Sequence, residues 1–270
     1  LNRIYNIIIN LCEVLDMYPI ERQLEIFELA KVNDVLKLKD LTDKFNISIE
    51  TLRRDLSVLE KQGKIQKIYG GIKLAETYSG EPLMQNRMEN KLEIKEIIGK
   101  KCSEFVIEGD CIFLDSGSTT YHIAKNIKNI KNLIVITNSI PIVNELINSD
   151  VEVIIIGGKL RHNESSIVAY DYLFNFKTLN ISKSFICAGG ITLDKGISDY
   201  NMDEAITRKK ILEISNEIFV AADSSKLGRD VPINICGIDK VNYVITDSSL
   251  DSSIETSFED SPCELIIADK

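Results

Sequence analysis

The stretch CIFLDSGSTTYHIA, Cys111–Ala124, passes from an apolar run into an aspartate, then a glycine among hydroxyl side chains, then a helix-like tail. Short apolar runs rich in branched and aromatic residues read as strands. The order strand, polar loop, helix is the unit from which α/β domains are built. The loop also has anion chemistry. Gly117 lets backbone amides come close to a ligand, hydroxyls donate hydrogen bonds, and a helix N-terminus favours negative charge. Taken alone, the same residues also fit a capped strand-to-helix turn.

Working outward, the pattern recurs. Apolar runs appear at CIFLD (111–115), LIVIT (133–137), VEVIIIG (151–157), SFICAG (184–189), EIFVAAD (217–223), YVITD (243–247) and ELIIAD (264–269). Runs this apolar imply strands buried on both faces, in a mostly parallel sheet covered by helices. TTYHIAKNIKN and IPIVNELINS read as crossover helices. Ligands of such sheets bind beyond the carboxyl ends of the strands. Those ends are polar here: Asp115-Ser116-Gly117-Ser118-Thr119-Thr120, Thr137-Asn138-Ser139, Gly157-Gly158-Lys159 with Arg161 close by, Ala188-Gly189-Gly190, and Asp223-Ser224-Ser225-Lys226. With Lys159, Arg161 and Lys226 as cations, they point to a phosphorylated small molecule.

Residues 20–74 read differently, as three helices and a β-hairpin. The helices are ERQLEIFELAKVN, with Leu24, Phe27 and Leu29 among its apolar positions, LKLKDLTDKF, and IETLRRDLSVLEKQ. Ser48 is placed to cap the third, and Gly63 to stop it. Ile49, Leu52, Leu56 and Leu59 share one face of that helix. Arg54 lies nearly opposite, flanked by Thr51, Arg53 and Ser57. The hairpin KIQKIYGGIKL follows, with Gly70-Gly71 free to turn tightly. From Thr51 to Lys73 there are six basic and two acidic residues, inside a chain of net charge −9. A local basic patch on an acidic protein is a nucleic-acid footprint, although a solvated helix face carries similar charge.

The remaining features set limits. A chain of 270 residues that is 44% hydrophobic and 27% charged fits one or two soluble globular domains. None of its six cysteines forms a C-x-x-C pair, so reduced thiols in a cytoplasmic protein are expected, with no metal and no cofactor. His122 reads as a surface or packing residue. Residues 1–16 are too short and too interrupted for a membrane span and lack a cleavage signal. Met17 is the expected native start, with 1–16 an upstream extension. Residues 75–90, with Gly80 and Pro82, read as a linker, and a helix from about Lys91 to Val106 follows.

SIETLRRDLSVLEKQGKIQKIYGGIKL (48–74) resembles the signature of DeoR-family transcriptional regulators, and LDSGSTT, VITNS, IIGGKLR and ADSSKLGR resemble the sensor half of the same family in the same order. Tyr69 stands where the family commonly has His. The resemblance covers about residues 20–250. It implies a winged helix-turn-helix over 17–74, a linker over 75–90, and a C-terminal α/β sensor over 91–270 similar to ribose-5-phosphate isomerase-like folds. It also implies a double-stranded DNA operator, a phosphorylated sugar effector and a homo-oligomer, dimer or tetramer, with no membrane partner. The DNA contacts would come from Ser48, Thr51, Arg53, Arg54, Ser57, Lys64, Lys67, Tyr69 and Lys73. The effector contacts would come from Asp115, Gly117, Ser118, Thr119, Thr120, Asn138, Ser139, Gly158, Lys159, Arg161, Gly189, Gly190, Lys209, Asp223 and Lys226.

The isomerases that this domain resembles use an Arg-Glu-Lys segment whose carboxylate moves the proton. The comparable segment here is Arg208-Lys209-Lys210, with lysine in place of the base, and Cys187–Thr192 carries no acid. Binding pieces without proton-transfer pieces describe a sensor rather than an enzyme, and the resemblance implies a repressor of sugar transport and catabolism genes. An isomerase with an accessory N-terminal domain is the alternative.

Overall fold

A computed structural model of the chain describes residues 18–33, 35–61, 64–74, 84–168 and 175–269. The expected extension at 1–16, the start at Met17, the helix stop at Gly63 and the 75–83 part of the linker lie outside the described residues. Two compact units divide the chain, Leu1–Gly80 and Glu81–Lys270.

The first unit runs α1 (Pro19–Val32), β1 (Leu36–Lys37), α2 (Leu38–Phe45), α3 (Ile49–Lys61), β2 (Ile65–Ile68) and β3 (Gly71–Leu74). Its strands form an antiparallel sheet in the order β1-β3-β2. The second helix starts two residues later than its sequence suggests, because Leu36 and Lys37 pair with Ile72 and Gly71. The two glycines of the hairpin have different duties. Gly70 takes a left-handed φ of 76°, whereas a Cβ on Gly71 would lie 2.5 Å from the Leu36 carbonyl oxygen.

Ile26, Phe27, Ala30, Leu41, Leu52, Leu56, Leu59, Ile65 and Ile72 form the core of this unit. Two residues expected among the apolar positions stay out of it: Leu24 is 52% exposed and Ile49 39%. The buried side of α1 is Arg22, Ile26, Phe27 and Ala30, and Asp55 shares the leucine stripe of α3. Arg22 Nε donates to Asp55 Oδ2 at 2.7 Å, and Gln23 Nε2 donates to Oδ1 at 2.8 Å. A polar lock therefore sits where periodicity alone places apolar contact. Such a pair defines how two helices meet more than it adds stability.

The second unit opens with α4 (Met84–Glu89), inside the range read as linker, and α5 (Leu92–Ser103). Then come β4 (Cys111–Leu114), α6 (Thr120–Ile127), β5 (Ile134–Thr137), α7 (Ile140–Leu146) and β6 (Glu152–Ile155). A hairpin of β7 (Lys159–Arg161) and β8 (Ser166–Val168) follows. The chain continues through β9 (Ile181–Ile186), β10 (Gly190–Thr192), β11 (Gly196–Asp199), α8 (Met202–Glu213), β12 (Ser215–Ala221), β13 (Ile233–Cys236), β14 (Tyr243–Asp247), α9 (Ser252–Ser257) and β15 (Glu264–Ala268).

All seven expected strands lie in one sheet, in the order β15-β14-β12-β9-β4-β5-β6, and every neighbouring pair is parallel. From β4 the chain winds outward through β5 and β6. From β9 it winds the other way through β12, β14 and β15. The reversal lies between β4 and β9, which is where an open parallel sheet leaves a crevice for a ligand. Phe113 points into the layer with α8 and the small antiparallel sheet β10-β11-β13, while Ile112 and Leu114 point into the layer with α5, α6 and α7. Both faces are thus covered, as the apolar runs require.

Candidate functional site: a basic helix face and a buried anion site

Helix α3 has the geometry of a reading helix. The Ser48 hydroxyl accepts the Thr51 amide at 3.1 Å and lies 3.0 Å from Thr51 Oγ1, so its first turn is capped by the residue expected there. Arg53 and Arg54 are exposed. Arg53 holds a loose pair with Glu50 at 3.3 Å, a solvated contact of small worth. Arg54 has no ion pair among the described residues and is the free cation of the face. Ser57 donates to the Arg53 carbonyl at 2.8 Å and accepts from Lys67 at 2.8 Å.

The hairpin is less uniform than its sequence. Lys67 folds back onto Ser57 and Glu60, and Lys64 covers the Phe27 ring at 5.2 Å. Glu60 is held below the usual carboxylate range by Lys67. Tyr69 projects fully into solvent at the hairpin tip, and Lys73 lies on β3.

In the second unit Asp115 is the pivot of the loop that follows β4. It is 1% exposed. Its Oδ2 accepts from Arg208 Nε at 2.6 Å and from the Cys187 amide at 3.0 Å, and its Oδ1 accepts the Ser116 amide at 2.9 Å. It therefore ties the ends of β4 and β9 together across the switch point. Burial pushes its carboxyl up to about 6, against the pull of Arg208. Arg208 also donates to Asp199 and, at 3.3 Å, to Glu204. Glu204 Oε1 accepts from Ser166 at 2.8 Å and pairs with Arg161 at 2.8 Å. The Tyr200 amide takes the other oxygen of Asp199.

Sequence alone shows no acid near the end of β9, yet β11 and α8 bring Asp199 and Glu204 there. Every carboxylate oxygen of Asp115, Asp199 and Glu204 already accepts a hydrogen bond. Acids tied in this way to a shared guanidinium and to backbone amides shape the loop.

The loop itself is not a capped turn. Thr119, the residue before α6, makes no side-chain cap, and Thr120 Oγ1 donates instead to the Asp115 carbonyl at 2.6 Å. Ser116 is 1% exposed and its hydroxyl has no partner. Ser118 and Thr119, each 6% exposed, have no side-chain hydrogen bond among the described residues. A Cβ on Gly117 would stand 2.0 Å from Cys187 Sγ, so only glycine fits. Three unspent hydroxyls at the N-terminus of an eight-residue helix form a donor set looking for an acceptor.

Cations supply the counterpart. Lys95 is 5% exposed, and its ammonium donates to the carbonyls of Arg87 and, at 2.6 Å, Asn90. Burial pulls it down to about 8, with Arg87 and Lys226 pushing the same way and Asp223 opposing. Lys226 is lowered by burial, with Arg229, Arg87 and Lys91 adding to the effect and Asp223 opposing it. Arg87 pairs with Glu164, and Lys91 with Asp223. Five cations thus gather around two acids. That excess makes charge on Lys95 and Lys226 costly until an anion arrives.

The sequence-based residues divide accordingly. Asp115, Gly117, Ser118, Thr119, Thr120, Asn138, Asp223 and Lys226 belong to this neighbourhood; Asn138 Oδ1 accepts the Ser116 amide at 3.1 Å. Ser139 instead caps α7 through the Ile142 amide, and Arg161 serves Glu204. Gly189 and Gly190 answer to packing, since a Cβ on Gly190 would meet the Arg229 carbonyl at 2.4 Å. Gly158 and Lys159 are exposed beside and on the β7–β8 hairpin. Lys209 is a correction. It is exposed on the other side of α8 and lines a hollow with Leu212, Glu213, Ile235, Cys236 and Lys240, because the helical turn sends its neighbour Arg208 inward.

Arg87, Lys91 and Lys95 are not among the expected contact residues, and Arg208 is marked there only as the neighbour of the missing base. A KLEIKEIIGKKC helix gives no sign of which lysine is buried. His122 is buried, with neither ring nitrogen hydrogen-bonded among the described residues, Glu96 Oε1 4.0 Å from Nδ1, and its basicity lowered by burial. Among the described residues no group of His, Cys, Asp and Glu could hold a metal ion, and no helix is long and apolar enough to cross a membrane.

Residues 22–78 match the DeoR-like helix-turn-helix domain, and residues 90–248 match the DeoR C terminal sensor domain. The chain is 32% identical over 246 residues to the HTH-type transcriptional regulator YulB of Bacillus subtilis, covering 90% of this chain and 95% of that protein. It is 29% identical over 233 residues to the glycerol-3-phosphate regulon repressor of Escherichia coli, covering 86% and 92%. Among solved structures, ribose 5 phosphate isomerase A from Neisseria gonorrhoeae aligns with 50% of this chain and 53% of its own, at a TM-score of 0.38 and 17% identity.

Proposed function

The chain belongs to the DeoR family of DNA-binding transcriptional regulators, with a C-terminal sensor domain, and from that premise we propose that it represses sugar transport or catabolism genes in response to a phosphorylated sugar. It is a regulator and not an enzyme. The reading rests on the unspent hydroxyls at Ser116, Ser118 and Thr119, on a loop packed against Cys187, and on two cations, Lys95, buried and in the field of Cys187, and Lys226, half-buried and in the field of Lys95. A phosphate dianion supplies acceptors for the first and charge for the second. The name of the Escherichia coli relative, a glycerol-3-phosphate regulon repressor, supports a small phosphorylated polyol or sugar as the class.

In this reading α3 enters the major groove. Arg54 and Arg53 contact guanine edges or phosphates, with Ser48, Thr51 and Ser57 beside them. The hairpin carrying Lys64, Lys67, Tyr69 and Lys73 lies along the backbone. Two or more such units, in a cytoplasmic dimer or tetramer, would match repeated half-sites. The effector shifts operator affinity only by its differential affinity for two arrangements of the assembly.

A thermal-shift panel of sugar phosphates against the full chain tests this, followed by operator release measured by fluorescence anisotropy. One compound should stabilise the protein and release DNA, and its unphosphorylated sugar should do neither. Equal effects of sugar and sugar phosphate would remove the phosphate from the proposal.

A further inference from the structure

The cations of the anion site are unevenly distributed. Three of the five, Arg87, Lys91 and Lys95, come from the corner where α4 turns into α5. This corner lies at the start of the second unit, which begins at Glu81. Lys91 takes a left-handed backbone there, φ 53° and ψ 40°, which costs a non-glycine residue about 1 kcal/mol. The strain is held by contacts on all sides. Lys91 pairs with Asp223, Arg87 pairs with Glu164, and Lys95 reaches back to two carbonyls of the corner. Those carbonyls belong to Arg87 in the last turn of α4 and to Asn90 just beyond it.

An ammonium has three donors. Two of Lys95's point to the corner, leaving one for the crevice side, where Asp223 and Lys226 set the field. The same group therefore faces both the anion site and the first helix of the sensor unit.

We infer that Lys95 is a positioning residue that couples effector binding to the α4–α5 corner: an anion in the site fixes Lys95, and Lys95 fixes the end of α4. This rests on the anion-site reading above. The physics gives a direction. Without an anion, Lys95 is buried among like charges and its charged form is disfavoured. At about 8 the ammonium is still mostly charged at neutral pH, so a bound dianion acts by holding it in place. Its charge-assisted bonds to the two carbonyls then come from a fixed donor. Anion binding therefore tightens residues 84–91, the stretch through which any change in the sensor reaches the chain leading back toward the DNA-binding unit.

Hydrogen–deuterium exchange on the full chain tests the coupling, with inorganic phosphate compared against chloride at matched ionic strength. In the wild type, phosphate should slow exchange at 115–122 and also at 84–91, the latter by roughly tenfold. In Lys95→Met the slowing at 115–122 should persist in weakened form, while 84–91 no longer responds to phosphate. Lys95→Arg, which keeps the charge, should restore part of the response. A role for Lys95 in stability alone would raise exchange at 84–91 with or without phosphate and give no phosphate-dependent difference in the wild type. Protection at 115–122 with 84–91 unchanged in the wild type would overturn the coupling and leave the anion site standing. So would an undiminished response at 84–91 in Lys95→Met. No protection at 115–122 in any form would overturn the anion site, and the coupling with it.

Discussion

Two regions of this protein gather cations, the face of α3 and the proposed anion site of the sensor unit, and they do so in opposite ways. On α3 the cations stand in water; Arg54 is exposed and Arg53 keeps only a loose solvated partner. In the sensor unit the central ones are withdrawn from water, Lys95 at 5% exposure and Lys226 half-buried and lowered by burial. The difference fits the targets. A duplex is a long polyanion that can be met by many cheap, screened contacts and displaced counterions. A single small phosphate must be recognised by a few groups, so each is desolvated in advance to make its charge count. Exposed cations give an affinity that salt tunes, whereas buried ones give an affinity that pH and exact placement tune.

The strongest way to break the comparison is to attack the scaffold of the buried site. Arg208→Met leaves Asp115, Asp199 and Glu204 facing one another with their shared guanidinium gone. Removing one partner from a buried ionic cluster costs about 3–5 kcal/mol. Thermal unfolding of the sensor unit should fall by roughly 10 °C. Arg54→Ala, by contrast, should leave the melting temperature within the small range of surface substitutions. An unchanged melting temperature in Arg208→Met would mean that the cluster carries no structural load.

Next in size are the ligand contacts. Arg54→Ala should weaken operator binding by about 10- to 100-fold and lower the salt slope by about one, with the sugar-phosphate thermal shift intact. Lys226→Ala should do the reverse, removing the shift produced by the sugar phosphate while operator affinity stays at the wild-type value. Loss of both functions in either variant would show that the two regions are not separable in this way.

The pH response sharpens the comparison further. Lys95 sits at about 8, below the usual lysine range, because it is buried among cations. A bound phosphate keeps it charged, so above pH 8 binding must take up a proton. Effector affinity should then be level below about pH 7 and fall by up to tenfold per unit above pH 8. A phosphate monoester is already a dianion there, so the fall reports the protein. Lys95→Met should bind more weakly and show no such step. A level profile from pH 7 to 9.5 in the wild type would contradict the placement of Lys95 in the site.

The same contrast explains what sequence could and could not reveal. The basic face of α3 lies within one helix, so period and charge expose it, and Arg54 falls opposite the leucines. The seven strands were equally readable, because burial on both faces leaves unbroken apolar runs. Of the proposed anion site, the polar strand ends reveal 115–119 and 226, but residues 87, 91, 95 and 208 come from helices or the α4–α5 corner and no local pattern links them to those loops. Lys95 reads as one of several lysines on a polar helix, and Arg208 is hidden beside Lys209 although the two face opposite ways. Asp55 fell on the leucine stripe, yet only the approach of α1 shows that it is buried against Arg22. Strands β7, β8, β10, β11 and β13 span three or four residues each, too few for any alternation to register.

The smallest effect tests the exposed region from within. Ser48 has two duties in this account, capping α3 and standing near the bases. Its hydroxyl already accepts the Thr51 amide at 3.1 Å and shares a hydrogen bond with Thr51 Oγ1 at 3.0 Å, which leaves it one further bond for DNA. Ser48→Ala should cost about 1 kcal/mol of stability through the lost cap. Ser48→Asp keeps a capping oxygen and adds charge that suits a helix N-terminus, so stability should match the wild type. That same charge faces the phosphates, so operator binding should drop more in Ser48→Asp than in Ser48→Ala. Chemical denaturation and anisotropy on the two variants separate the duties. If Ser48→Asp binds the operator as tightly as the wild type, the N-terminus of α3 does not approach the DNA backbone, and contact is confined to the face around Arg54.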